Sequence, residues 1–147
     1  MARKRMIHPD FFTSATLNAL PIPTMTTFAG TLCYVDDYGR GENDEALVKA
    51  AVWPRRRSMG EKKVREALDE LVESDVLCAY VIAGHSLFHV VSWREHQSVS
   101  HPTPSKLPPC PNHEPEAWEE FMNDSDPSRE KFRSGSGATR ERLRNVS

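Results

Sequence analysis

What the sequence lacks removes most function classes first. It has no G-x-x-x-x-G-K-[ST] phosphate loop, no H-E-x-x-H pair, no G-x-S-x-G elbow and no Rossmann-type glycine run. Without such constellations, catalysis is not expected and no cofactor is implied. No apolar stretch approaches the roughly 18 residues of a bilayer span. The basic N-terminus is not backed by a leader-like apolar segment, because His8, Pro9, Asp10 and Thr13 interrupt it. Cysteine is scarce and odd in number, with only Cys33, Cys78 and Cys110. That argues against a disulfide framework and fits a reducing compartment, so the sequence reads as a soluble, cytoplasmic protein. Hydrophobic residues make up only 38% of the 147, while prolines number 11. This balance leaves part of the chain outside any core.

A net charge of −2 gives the whole molecule no positive excess with which to attract a polyanion. The distribution is uneven, however. Arg3-Lys4-Arg5 and Arg55-Arg56-Arg57 are concentrated basic runs, whereas Glu114 to Asp126 is acidic.

The most organised stretch runs from Ser58 to Trp93. Ser58-Met59-Gly60-Glu61 has the S-x-x-E form of a capping box, in which the serine hydroxyl accepts from a first-turn N–H and the glutamate reaches back. Val64, Ala67, Leu68, Leu71 and Val72 then recur at helical spacing. Ser74-Asp75 ends that pattern. Val76 to Ile82 is apolar and partly β-branched, Ala83-Gly84-His85-Ser86 supplies a turn, and Leu87 to Val91 reads as a returning strand.

Upstream, Ser14 to Leu20 predicts a short helix broken by Pro21 and Pro23. Thr24 suits the cap of a second, whose stripe runs from Met25 through Phe28 and Leu32 to Val35 and stops at Asp36-Asp37-Tyr38-Gly39. Asn43 or Asp44 caps a third, with Ala46, Leu47, Ala50 and Ala51 on its apolar face. Arg55 to Arg57 then fall in the turn before the capped helix. The order of helices, turn, helix and two strands predicts an α+β winged helix-turn-helix, a three-helix core plus a β-hairpin wing, with a mostly disordered C-terminal tail. The expected divisions are a basic N-terminal arm (1–7), a winged-helix domain (8–93), a proline-rich linker (94–114), and an acidic short helix with a disordered tail (115–147).

In such a fold the third helix meets the major groove of duplex DNA with its N-terminal end. Arg55, Arg56, Arg57, Ser58, Lys62 and Lys63 fall where phosphate and base contacts are needed. Arg3, Lys4 and Arg5 would follow the backbone or enter a minor groove, and His85 sits at the wing tip. Glu66, Asp69, Glu70 and Glu73 oppose deep insertion, so only the turn and helix start are expected to touch DNA. A second reading is a protein-interaction module without DNA binding. It would use the acidic helix face, or Trp118 and Phe121 as a docking peptide for a partner groove.

Cys110-x-x-His113, with His96 and His101 upstream, has ligand-like spacing. The prolines around it and the lack of a second Cys-x-x-Cys favour a polar linker, so no metal site is expected. Asp36, Asp37 and Asp44 are read as turn and capping residues.

Several segments together resemble a family. Arg3-Lys4-Arg5-Met6-Ile7-His8-Pro9-Asp10-Phe11-Phe12 is similar to an R-x-x-I-x-P-x-F/W opening, and Asp36-Asp37-Tyr38-Gly39-Arg40 to a D-D-x-G-R turn. Leu68 to Leu77 is similar to L-x-E-L-x-x-x-G-L-I. Trp93-Arg94-Glu95-His96-Gln97 with Pro102-Thr103-Pro104-Ser105-Lys106 is similar to W-x-x-H-Q…R-P-T-P-S-K. Over about residues 3–109, these features resemble phage-encoded winged-helix proteins of actinobacterial hosts, similar to the N-terminal domain of DnaD-like phage replisome organisers. Asp75 stands where the pattern has Gly, and His101 where it has Arg.

The resemblance implies double-stranded DNA binding in replication initiation, with transcriptional control as the other outlet, in the cytoplasm of a bacterial host. It also implies a helicase, a helicase loader or a host factor as protein partner. A homodimer would have to form through the winged domain, since the tail has no heptads.

Overall fold

The computed structural model describes residues 3–133 and 138–139. It is an α+β fold in which several helices pack on a small antiparallel sheet. Two short helices open it, α1 (Asp10–Thr13) and α2 (Ala15–Asn18), and α3 (Ile22–Tyr34) follows. Ser14 caps α2 by accepting from the Leu17 N–H at 3.2 Å. Helix α3 begins earlier than the Thr24 cap predicts, because Pro21 supplies an extended entry and Pro23 sits within the first turn, where no N–H is needed.

A strand the sequence pattern does not reveal, β1 (Arg40–Glu42), precedes α4 (Glu45–Val52). Helix α5 (Glu61–Glu73) leads into β2 (Leu77–Ile82) and β3 (His85–Val90). The sheet order is β1-β3-β2, antiparallel throughout, with the two-residue β4 (Ala138–Thr139) at the β2 edge. Between β2 and β3, Ala83 (φ 50°) and Gly84 (φ 80°) are both left-handed, as the tightest hairpin turns require.

Asp75 also lies in the left-handed region (φ 58°), directly after α5. The conformation that a Gly would adopt most easily is therefore present here with an Asp, a residue that tolerates it better than most.

Helices α3, α4 and α5 pack on one another and on the inner sheet face. Val64, Leu68 and Leu71 of α5 are fully buried there with Leu77, Phe88, Val48 and Val35. Each such side chain contributes about 1.5–3 kcal/mol relative to exposure.

The outer sheet face is also covered. Cys78, Tyr80, Ile82 and Leu87 form a second apolar cluster with Cys110, Phe121 and Phe132. Phe121 belongs to α7 (Pro115–Asn123). Phe132 belongs to α8 (Glu130–Arg133), which follows a short 3₁₀ turn at Pro127–Arg129. Here the structure differs from the expected extended linker and disordered tail. Ser105, Pro108, Pro109 and Cys110 are buried, and the Tyr80 hydroxyl donates to the Pro108 carbonyl at 2.7 Å. The strands carry apolar residues on both faces, and the later segment covers the face the helices leave open. Residues 134–137 and 140–147 of the expected tail lie outside the described residues.

The N-terminal arm, the α3–β1 turn and the stretch after α6 (Trp93–His96) meet at Asp37. Its carboxylate accepts from the Arg5 guanidinium (3.1 Å), the Arg3 guanidinium and the Thr103 N–H (2.9 Å). Its backbone carbonyl accepts from Trp93 Nε1 at 2.9 Å. Beside it, the Asp36 carboxylate accepts from the Tyr38 and Arg40 N–H groups and from the Ser105 hydroxyl. Gly39 (φ 78°) closes the turn, and a Cβ there would lie 2.8 Å from the Trp93 ring.

The Thr103 N–H, opposed by burial and helped by Arg5 and Arg3, holds the Asp37 carboxyl below the usual carboxylate range. A depressed folded-state pKa means stability that is present above the unfolded value near 4 and lost as pH falls through the folded one. Asp37→Asn should therefore lower stability by about 3–5 kcal/mol at neutral pH, because Arg5 is left buried without its counter-charge. Urea melts at pH 7 and pH 3 should show the gap between wild type and variant narrowing in acid. A gap independent of pH would sink this account.

Candidate nucleic-acid interface

The connection between α4 and α5 is built by two caps of different quality. Of the two caps the pattern allows, Asn43 and Asp44, the structure uses Asp44, its Oδ1 accepting from the Ala46 and Leu47 N–H groups at 2.8 and 3.2 Å. The capping box at Ser58 does not form. Helix α5 starts at Glu61 with Gly60 as its cap, and no side chain caps it. A turn closed from Met59 N–H to Arg56 carbonyl shifts the start, and buries Met59 while Ser58 stays exposed. The first amides of α5 are thus left without a side-chain acceptor.

Arg55, Arg56 and Arg57 are exposed in this connection, and Lys62 and Lys63 are exposed on the first turn of α5. Among the described residues, none of these five side chains forms a hydrogen bond or ion pair. The acidic face of α5 is partly occupied internally. Asp69 accepts from Arg65 at 3.0 Å, and Glu70 accepts from the Thr24 hydroxyl at 2.9 Å. Glu66 and Glu73 remain exposed. Arg65 is held by Asp69, Glu45 and Asn43. The first turn of α5 thus carries Lys62 and Lys63 beside the exposed Glu61, and the helix is acidic beyond it.

The other expected contacts are differently placed. Arg5 is buried against Trp93, its ring 4.9 Å from the guanidinium carbon, and donates to the Leu32 and Val35 carbonyls as well as to Asp37. Arg3 pairs with the same carboxylate. Both arm arginines thus satisfy the end of α3 and its following turn; Lys4 alone of the three is exposed without a partner among the described residues. His85 opens β3 with its ring packed on Phe132 at 4.8 Å. Of the expected docking pair, Phe121 is buried, and Trp118 is half-buried and stacked beside it.

Cys110 and His113 do not meet His96 and His101. Instead they meet Cys78 and His89, which oppose each other across β2 and β3. Sequence spacing hides this set, because strand register brings in two of its members. Cys110 donates toward Cys78, and with burial this pushes its thiol up to about 11. His96 lies elsewhere, with His8 and Asp10. There the Asp10 N–H donates to His8 Nδ1, and His96 Nε2 lies 3.3 Å from the Asp10 carboxylate, which pins α1 to α6.

Replacing Asp44 by Ala should destabilise the fold by about 1 kcal/mol, whereas Ser58→Ala should change stability by less than about 0.5 kcal/mol. Thermal melts of both variants check this; a larger loss at Ser58 would mean that the capping box forms in solution. The chain matches no protein-family model, no curated protein and no solved structure in comparisons with known proteins.

Proposed function

We propose that the chain is a non-catalytic double-stranded DNA-binding protein of the winged helix-turn-helix type. The element order α3, β1, α4, α5, β2, β3 supports that architecture. The observation that carries the function is the row of five exposed cations, unpaired among the described residues, at the α4–α5 turn and the start of α5. Such a row beside a helix N-terminus without a side-chain cap suits phosphate oxygens, which accept from both.

The contact is end-on. Lys62, Lys63 and the three arginines approach the duplex, while Glu66 and Glu73 keep the rest of α5 out of the groove. Arg3, Arg5 and His85 take no part, because each is engaged within the fold. The resemblance to phage replisome organisers favours a role in replication initiation over transcriptional control.

The test is fluorescence anisotropy with a mixed-sequence duplex across a salt series. If all five cations engage phosphates, log K should fall with log salt at a slope of about −4.5, and Arg55→Ala/Arg56→Ala/Arg57→Ala should reduce that slope by about 2.7. Arg94→Ala, an exposed cation outside the proposed surface, should leave binding unchanged. Absence of low-salt binding, or binding indifferent to the triple change, would overturn the proposal and favour a protein partner for the acidic face of α5.

A further inference from the structure

The four ligand atoms of Cys78, His89, Cys110 and His113 all lie within 4.8 Å of one another. Cys110 Sγ is 3.7 Å from Cys78 Sγ and 3.5 Å from His113 Nδ1. The His89 and His113 ring centroids are 5.0 Å apart. A Zn²⁺ ion with Zn–S near 2.3 Å and Zn–N near 2.05 Å in tetrahedral geometry sets S···S at about 3.8 Å and S···N at about 3.6 Å. The sulfur pair is also far too long for a disulfide, whose S–S distance is about 2.05 Å.

Burial points the same way. Cys78, His89 and Cys110 are all buried, and His89 is only 4% exposed. Its Nδ1 is buried with no hydrogen-bond partner among the described residues. A buried imidazole nitrogen without an acceptor or donor is costly unless something else engages it.

We propose that Cys78, His89, Cys110 and His113 bind one Zn²⁺ ion in a tetrahedral, structural site. Two thiols lose their protons to solvent as the ion binds, so two thiolates balance the 2+ charge in a largely buried setting. Two sulfurs and two imidazole nitrogens in a tetrahedral set select zinc over magnesium, calcium or manganese. Four protein ligands leave no open coordination position, which makes the role structural and not catalytic. His113 is exposed and gives the ion an entry side.

The ligands identify what the ion holds together. Cys78 and His89 are cross-strand partners, and His89 is also paired with Arg40 of β1. Cys110 and His113 flank the turn that enters α7, closed from the His113 and Glu114 N–H groups to the Cys110 carbonyl. The Arg40–Glu114 ion pair (2.9 Å) braces this turn against the sheet next to the quartet. Zinc therefore fastens the segment carrying Phe121 and Phe132 to the outer sheet face. This site is independent of the DNA reading and stands or falls separately.

The test uses the full-length protein, purified under reducing conditions without chelator. Elemental analysis should find about one zinc per chain. After zinc removal, Co²⁺ should give the visible bands of a tetrahedral ion together with near-ultraviolet thiolate-to-cobalt charge transfer, both displaced by Zn²⁺. Cys110→Ser should remove about half of the charge-transfer intensity, since one of two thiolates is gone. His113→Ala, at an exposed position, should keep native circular dichroism yet bind at least about tenfold more weakly. Cys33→Ser and His101→Ala should bind as wild type does. Folded, reduced protein that takes up neither ion would overturn the proposal. So would cobalt spectra without charge transfer, affinity unchanged in His113→Ala, or a Cys78–Cys110 disulfide in fresh protein.

Discussion

The arrangement depends most on one carboxylate. Asp37 is nearly inaccessible, yet it collects two guanidiniums from the N-terminal arm and an amide from Thr103, two distant parts of the sequence. Two buried charges are stabilising only when geometry and additional hydrogen bonds satisfy both partners. That condition is met here. Arg5 uses further donors on the Leu32 carbonyl in the last turn of α3 and on the carbonyl of its C-cap, Val35. The same turn receives the Trp93 indole and lies against the Ser105 hydroxyl, so the arm, the helical core and the later segment are tied at one point. Several segments that carry the resemblance to phage winged-helix proteins meet here: Arg3 and Arg5, Asp36 to Arg40, Trp93, and Thr103 to Ser105. These segments therefore have a structural job within this chain, which says little by itself about what the surface binds.

This also explains why arginines in the arm mislead when read as a string. A short basic run near a terminus looks like a solvated arm, and nothing in Arg3-Lys4-Arg5 indicates that Arg3 and Arg5 will turn to the same carboxylate. The partner is Asp37, more than thirty positions away, and sequence spacing gives no measure of that distance. The turn at Arg55 to Arg57 offers the contrast. Among the described residues no acidic side chain pairs with it, and it connects two helices of which only α5 shows its apolar stripe in the sequence; α4 instead buries Val48 and leaves the expected face, Ala46, Leu47, Ala50 and Ala51, exposed.

The helices and hairpin were legible because periodicity reports burial. Val64 to Val72 repeats with the helical period, and the Asp44 cap is local chemistry. The covered outer face is also written in the strands. A strand with one wet face alternates polar and apolar residues, whereas Leu77 to Ile82 contains no charged residue at all, the pattern of a strand buried on both sides. That run implied a further layer. Its components, Cys110, Phe121 and Phe132, are scattered through a proline-rich and polar stretch whose composition resembles that of a linker. Few residues anchor it, so bulk composition was a poor guide. The three residues of β1 and the shifted start of α5 were less accessible still. One is too short to show a period, and the other turns on Met59 being buried where Ser58 had the better capping chemistry.

A thin second layer raises a question of energetics that the Cys/His quartet answers. The segment from residue 105 to 133 rests on the sheet through few buried apolar side chains (Cys110, Phe121 and Phe132, with Trp118, Leu107 and Met122 partly covered) and the Arg40–Glu114 pair, against the backbone entropy lost in ordering it. A bound ion supplies what a small apolar layer lacks, since its binding energy enters directly as folding energy. The quartet joins the two strands, near the end opposite their connecting turn, to the turn that launches α7. On this proposal the ion reinforces the smaller outer cluster, whereas the helical core is built on the larger one.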